Sequence, residues 1–415
     1  MRGICDPQKG ACAVKFFHRM GKTSGKGGAE KITLLHGWTG AELPPINAMI
    51  RSFERKHGIR VESQDMSWES LRVEIGSRIE YDPPDIFPRE VGPELYELSN
   101  RELLADITDT WSESRFHDAF PDWITEMCIR RKKAIAVPVK LYTFAVWYLR
   151  RTFERYGVSP PETWDEFIEL CRTLKRKGIY PVVASGWGNS IWINHILPGV
   201  AGAKFYQKLM DGEESWTDSR VIESYELLRD LTSSFFLPHP FAYDFDKEWE
   251  KLNRGEAAMM LQGDWVNGMW QNQFGYSPGR SYDFFLLPPP NPENRPTMVV
   301  GGNVWVAPAL AGNLRGAKTF LGYAGSLDAH EILAREGMGI LARKEVPESA
   351  YDTVLVRLRR ELFSRRTVFG MQVFMPHRAL AAEEKVRRET VINPRISSNE
   401  IKELLGNVGM ASKSE

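Results

Sequence analysis

Apolar positions along this chain alternate between two periods. Ile46, Met49, Ile50 and Phe53 recur at helical spacing over 44–57, and Gly58 stops the run. Leu71, Ile75 and Ile79 repeat the spacing behind Ser67, a good N-cap. Phe167, Leu170 and Leu174 follow Thr163-Trp164-Asp165-Glu166, which reads as a capping box. Asp218 heads a long helix carrying Val221, Ile222, Tyr225, Leu228 and Leu231. Helices are also expected over 94–104 and through most of the chain beyond Leu314. Between them lie short apolar or alternating runs that read as strands: 31–35, 59–62, 83–87, 135–139, 144–149, 180–184, 257–261, 281–287 and 299–307. Strand–helix alternation predicts an α/β fold with parallel sheet and crossover helices. The dense runs at 135–139 and 144–149 predict two buried strands.

Composition narrows the class. The 415 residues are enough for about two or three domains. A net charge of zero leaves no electrostatic footprint for nucleic acid or an acidic membrane. No run approaches the roughly 18 apolar residues of a membrane span. Residues 1–30 carry no apolar stretch of signal-peptide length and read as a disordered segment, with Gly21–Gly28 as a flexible linker. The four cysteines form no CxxC and have no histidine at metal-ligand spacing, so neither metal nor cofactor is implied. Cys128 and Cys171 read as packed thiols, and Cys5 and Cys12 could pair.

Thirteen Trp, thirteen Tyr and twenty-one Phe exceed what packing usually needs. Three tryptophans fall in loops beside polar groups. Gly263-Asp264-Trp265 ends the run 257–261, Trp38 lies four residues before Glu42, and Trp305 follows Asn303. A carboxylate accepts two hydroxyl hydrogen bonds, and an aromatic face covers the C–H face of a pyranose. This is the chemistry of a sugar site, although each indole could equally be a core anchor.

Longer blocks are more specific. Pro84-Asp85-Ile86-Phe87 is followed by Leu104-Ala105-Asp106-Ile107-Thr108-Asp109. Thr152-Phe153-Glu154-Arg155-Tyr156-Gly157-Val158 runs into Pro160-Pro161-Glu162-Thr163-Trp164-Asp165-Glu166-Phe167. Gly255-Glu256-Ala257-Ala258-Met259 leads to Gly263-Asp264-Trp265, and Ala334-Arg335-Glu336-Gly337-Met338-Gly339 ends a helix. Over 31–349 this order resembles the extracellular solute-binding proteins of family 1, the sugar-capturing subunits of ABC importers.

The resemblance implies a two-lobe periplasmic-binding-protein-like fold of type II, with parallel-sheet lobes joined by hinge strands. Residues 31–138 with 286–326 would form lobe 1, and 139–285 with 327–415 lobe 2. The chain would cross near 137–140, 285–288 and 325–328. A sugar would dock in the cleft, the lobes would hinge shut, and the closed monomer would dock on a membrane permease outside the cytoplasm. Trp38 or Trp265 would cover a pyranose face, Glu42 and Asp264 would accept hydroxyl hydrogen bonds, and Asn303 would donate and accept.

Departures from the family pattern leave alternatives open. Lys140 stands where Asn or Asp is usual after Val-Pro-Val. It would either meet an acidic or phosphorylated ligand or pair with a carboxylate near the hinge. His377 would contact ligand from the second lobe or cap the surface. Two rival classes remain: a same-fold receptor for a charged solute, and a glycoside hydrolase built on a carboxylate pair.

Overall fold

The computed structural model describes residues 30–412. Residues 1–29 of the expected disordered segment 1–30, and the Cys5–Cys12 pair, lie outside the described residues, whereas Glu30 accepts from Arg60 N through its carbonyl. The first strands, β1 (Lys31–His36) and β2 (Arg60–Asp65), pair in parallel, with the helix Leu43–His57 as their crossover. Pro44 and Pro45 open that helix, where their missing N–H groups cost nothing. Ile46, Met49, Ile50 and Phe53 form its buried face, and Gly58 closes it at φ 67°. β3 (Phe87–Glu90) joins a larger sheet. A two-residue hairpin, β4 (Ile129–Arg130) and β5 (Lys133–Ala134), then leads into β6 (Val137–Leu149).

β6 is one continuous strand of 13 residues, all buried, where two separate strands were expected. Pro138 does not break it, because it sits where the register with a neighbouring strand slips at Asn303/Val304. Lys140 does not break it either, because its charge is paired. β7 (Tyr180–Val182), β8 (Ala257–Gly263), β9 (Tyr282–Phe285), β10 (Met298–Val306) and β11 (Thr367–Phe369) complete the strands. The order β11–β10–β6–β8–β7, with β3 on β10 and β9 on β6, makes a seven-stranded sheet.

That sheet is mixed rather than wholly parallel. β7–β8 and β10–β11 are parallel, whereas β6 is antiparallel to β8, β9 and β10. β6 thus runs against three of its neighbours, β8, β9 and β10.

Two apolar clusters flank this sheet. The first gathers Leu34, Ile46, Phe53, Trp111, Trp305 and Phe320. The second gathers Phe167, Trp192, Tyr206, Tyr225, Leu228 and Leu405. The helix Leu327–Arg335, expected in the second lobe, turns Ala329 and Leu333 into the first cluster, and the helix Thr353–Ser364 does the same with Val354, Leu355 and Leu358. Lys56 on the helix Leu43–His57 reinforces this placement by pairing with Asp328 at 2.8 Å.

The Thr163 cap forms as its sequence pattern requires. Thr163 Oγ1 accepts from Glu166 N at 3.3 Å, and Glu166 Oε2 accepts from Thr163 N at 3.1 Å. Replacing Thr163 with Ala removes one half of the box. The expected loss is about 1 kcal/mol, read from the urea midpoint of unfolding. An unchanged midpoint would mean that the helix Trp164–Arg176 is held by packing alone.

Candidate functional site

Where the two units meet, β6 brings a lysine into the protein interior. Lys140 is 2 % exposed, and its Nζ donates to Glu42 Oε1 at 3.4 Å. Glu42 closes a short 3₁₀ turn, Gly40–Glu42, that lies against the helix Trp265–Phe274. Asp264 is fully buried beside them. Its N–H donates to Thr143 O, and its Oδ2 accepts from Ile340 N at 2.9 Å. Burial raises the Asp264 carboxyl above its ordinary range, Lys140 pulls it back down, and Glu42 pushes it further up. Its Oδ1 has no hydrogen-bond partner.

The approach is close because Gly339 faces the pair. A Cβ there would overlap Asp264 Oδ2 and stand 2.9 Å from Lys140 Cε, and φ 105° favours glycine in any case. Asn303 on β10 is 6 % exposed and lies opposite Lys140 on one side and Glu90 on the other. Glu42, Lys140, Asp264 and Asn303 therefore come together.

Trp265 caps this charged knot. Lys140 Nζ lies 5.9 Å from its ring centroid. Trp265 is half-buried and packs against both apolar clusters. Tyr142, Phe144 and Phe245 surround it edge-on, with centroids 5.7–6.4 Å away. Trp187 lies 5.9 Å away at 37° and is 50 % exposed, which makes an open pair of indoles. Sequence reasoning passed over Trp187. Its one local signal is an indole flanked by Gly186 and Gly188 just past a strand.

Trp38 and Trp305 are placed differently. Trp38 is 1 % exposed, with Trp305 at 4.9 Å and Trp68 at 5.3 Å, both edge-on. These two are packed in the first cluster. His377 is exposed at the start of the helix His377–Ile392, and the structure does not bring it to the group.

Glu90 on β3 adds a further carboxylate. It keeps 38 % of its side-chain surface open, yet lost hydration pushes its carboxyl upward while Arg72, 3.6 Å away, pulls it down. Arg89, 5 % exposed, faces Glu94 at 3.8 Å.

A groove of about 850 Å³ lies elsewhere, among the helices Leu43–His57, Thr108–Glu113 and Leu314–Ala324. Four of its charges are matched, Lys56 with Asp328 and Lys318 with Asp109 at 2.7 Å, and no tryptophan lines it. The open indoles and the Lys140–Glu42 pair lie together around β6, away from this groove.

The profile of the bacterial extracellular solute-binding proteins matches residues 37–331. An uncharacterized ABC transporter extracellular-binding protein of Pyrococcus horikoshii is 27% identical over 353 residues, covering 81% of this chain and 77% of that protein. The xylose/arabinose-binding protein of Haloferax volcanii is 23% identical, covering 65% of this chain and 61% of its own length. Among solved structures, the bacterial solute receptor AcbH, with a preference for β-D-galactopyranose, superposes with a TM-score of 0.84 at 20% identity. It covers 93% of this chain and 99% of its own. That likeness bears out the two-lobe α/β fold expected from the sequence.

Removing the lysine tests the knot. Lys140→Met strands the buried Asp264 without its counter-charge, and the expected cost at pH 7 is about 3–5 kcal/mol. Lys140→Met with Asp264→Asn should recover a large part of that loss in urea unfolding. Simple additivity of the two changes would mean that the lysine does not compensate Asp264.

Proposed function

This chain belongs to the bacterial extracellular solute-binding protein family, and we propose that its solute is a mono- or oligosaccharide held between the two units. The protein is the binding component of an ABC importer, a receptor and not an enzyme. The observation that carries the sugar reading is Trp265, half-buried against both clusters and paired with the open indole of Trp187. Two aromatic faces with the Glu42 and Glu90 carboxylates nearby match a ring that is apolar on its faces and hydroxylated at its rim. A xylose/arabinose-binding relative and a galactopyranose receptor of the same fold support the class.

In this reading Trp265 and Trp187 stack on sugar, and Glu42, with Asn303 behind it, meets hydroxyls. Lys140 and Asp264 hold the junction in register, and Trp38 backs it from the core. We place the first lobe at 31–138 with 298–364 and the second at 139–297 with 365–412; the helices Leu327–Arg335 and Thr353–Ser364, which pack into the first cluster, support the placing of 327–364. The lobes close about β6 and its partners, and the closed monomer is recognised by a membrane permease. A neutral solute fits better than an anion, because Lys140 is spent on Glu42.

Thermal unfolding against a panel of sugars tests the reading. A sugar at 100 times its dissociation constant should add about 2.7 kcal/mol and be recovered unchanged. A panel in which only phosphorylated sugars or polyamines shift the midpoint would replace it with the charged-solute reading. Trp265→Ala should weaken binding of the active sugar by about 1–3 kcal/mol, roughly 5- to 150-fold. An unaltered affinity with the fold intact would remove Trp265 from the site.

A further inference from the structure

One buried carboxylate touches both the loop that carries Trp187 and the strand that leads to Trp265. Glu248, on the helix Phe245–Asn253, is 0 % exposed. Its Oε2 accepts from Ser185 N at 3.1 Å, in the loop that bears Trp187. Its Oε1 accepts from Gln262 Nε2 at 3.0 Å, and Gln262 stands three residues before Trp265 on β8. The Ser185 hydroxyl also bonds the carboxylate, and Ser185 Oγ accepts from Gly188 N at 3.1 Å, which ties the far side of the loop to the same point. The loop must come close for this. A Cβ on Gly188 would stand 3.0 and 3.2 Å from the two Glu248 oxygens.

We propose that Glu248 is a positioning residue for the solute site, clamping the Trp187 loop to the end of β8 so that Trp187 and Trp265 form one platform. Its meaning for sugar binding rests on the reading above; the clamp itself does not.

The chemistry gives the clamp two states. An ionised carboxylate only accepts, so it can hold the Ser185 N–H and the Gln262 N–H together. A protonated one carries an O–H of its own and gives up part of that capacity, so one loop is released. No cation faces Glu248. Tyr243 donates to Ala184 O, Arg387 donates to Gly186 O and pairs with Glu383, and Lys251 pairs with Glu256. β8 and the first turn of the helix Gly188–Ala201 bring no charge at all. Burial without a counter-ion raises the Glu248 carboxyl to about 7, against the three hydrogen bonds that lower it.

The sign follows. The folded value is raised, so the stability contributed by the protonated form is complete below the unfolded value and is lost as pH rises through about 7. The platform runs the other way, because it is formed by the ionised carboxylate and loosens as pH falls through the same point.

The test uses the full chain without ligand. The near-ultraviolet circular dichroism of the protein minus that of Trp187→Phe isolates the coupling of Trp187 with Trp265. That difference signal should be strong near pH 8.5 and decline through about pH 7. In Glu248→Gln it should be lost at every pH while the far-ultraviolet spectrum stays unchanged. A flat signal in the unaltered protein, which needs no Glu248 variant to fold, would overturn the proposal. So would full retention of the signal in Glu248→Gln. With D-galactose and D-xylose as probes, affinity should rise as pH passes upward through about 7 and be pH-independent in Glu248→Gln. If neither sugar binds, the sugar reading is in trouble and the ligand-free signal still decides on the clamp.

Discussion

A strand has two edges, and β6 uses both with different partners along its length. Val137–Thr143 lies beside β10, and Phe144–Leu149 lies between β8 and β9. The exchange happens at Thr143/Phe144, between the two apolar clusters. On the other edge of the first half, Leu141 N donates to Ile340 O and Ala342 N to Val139 O, so the backbone there is satisfied too. With all 13 residues buried, no part of the strand can turn toward water without losing packing. The position of one unit relative to the other, and so the width of the site, is set by this strand and the chain returns that pair with it.

Charge is managed at that junction with few groups. Lys140, Glu42 and Asp264 come from three distant parts of the chain, and each is held by backbone that belongs to the sheet or its edges. Burying a lysine is tolerable because its charge is matched at 3.4 Å and its stem packs near an indole. Glu248 solves a different problem. It has no counter-ion, yet it joins the Trp187 loop to β8 by hydrogen bonds to Ser185 and Gln262. Its ionised form costs stability and orders the aromatic platform, so fold and site draw on the same proton in opposite directions.

Local features were legible in the sequence. The helices with capping residues and helical apolar spacing appear where Ser67, Thr163 and Asp218 place them, because caps and amphipathic faces are short-range properties. The family blocks gave the fold, since each spans a strand end and a loop. Partner exchange was not legible, and the apolar runs at 135–139 and 144–149 read as two strands. The sequence could not show that Glu42, 98 positions away, would meet Lys140. Nor could it separate core indoles from open ones. Trp38 looks as loop-borne as Trp187, and only the neighbours Trp68 and Trp305 bury it.

The opening strands and helix also bond to segments far along the chain, and this bears on how the molecule is made. Asn313 Nδ2 donates to Lys31 O across 282 positions, and Lys56 reaches Asp328 across 272. β3 finds its partner only in β10. High contact order makes folding slow, because loop closure precedes any gain from such contacts. Until those later segments are made, the first strands and the helix Leu43–His57 lack Asn313, Asp328 and β10 as partners. Completion of the opening unit therefore waits on residues made late in synthesis, a delay that suits a protein whose family works outside the membrane.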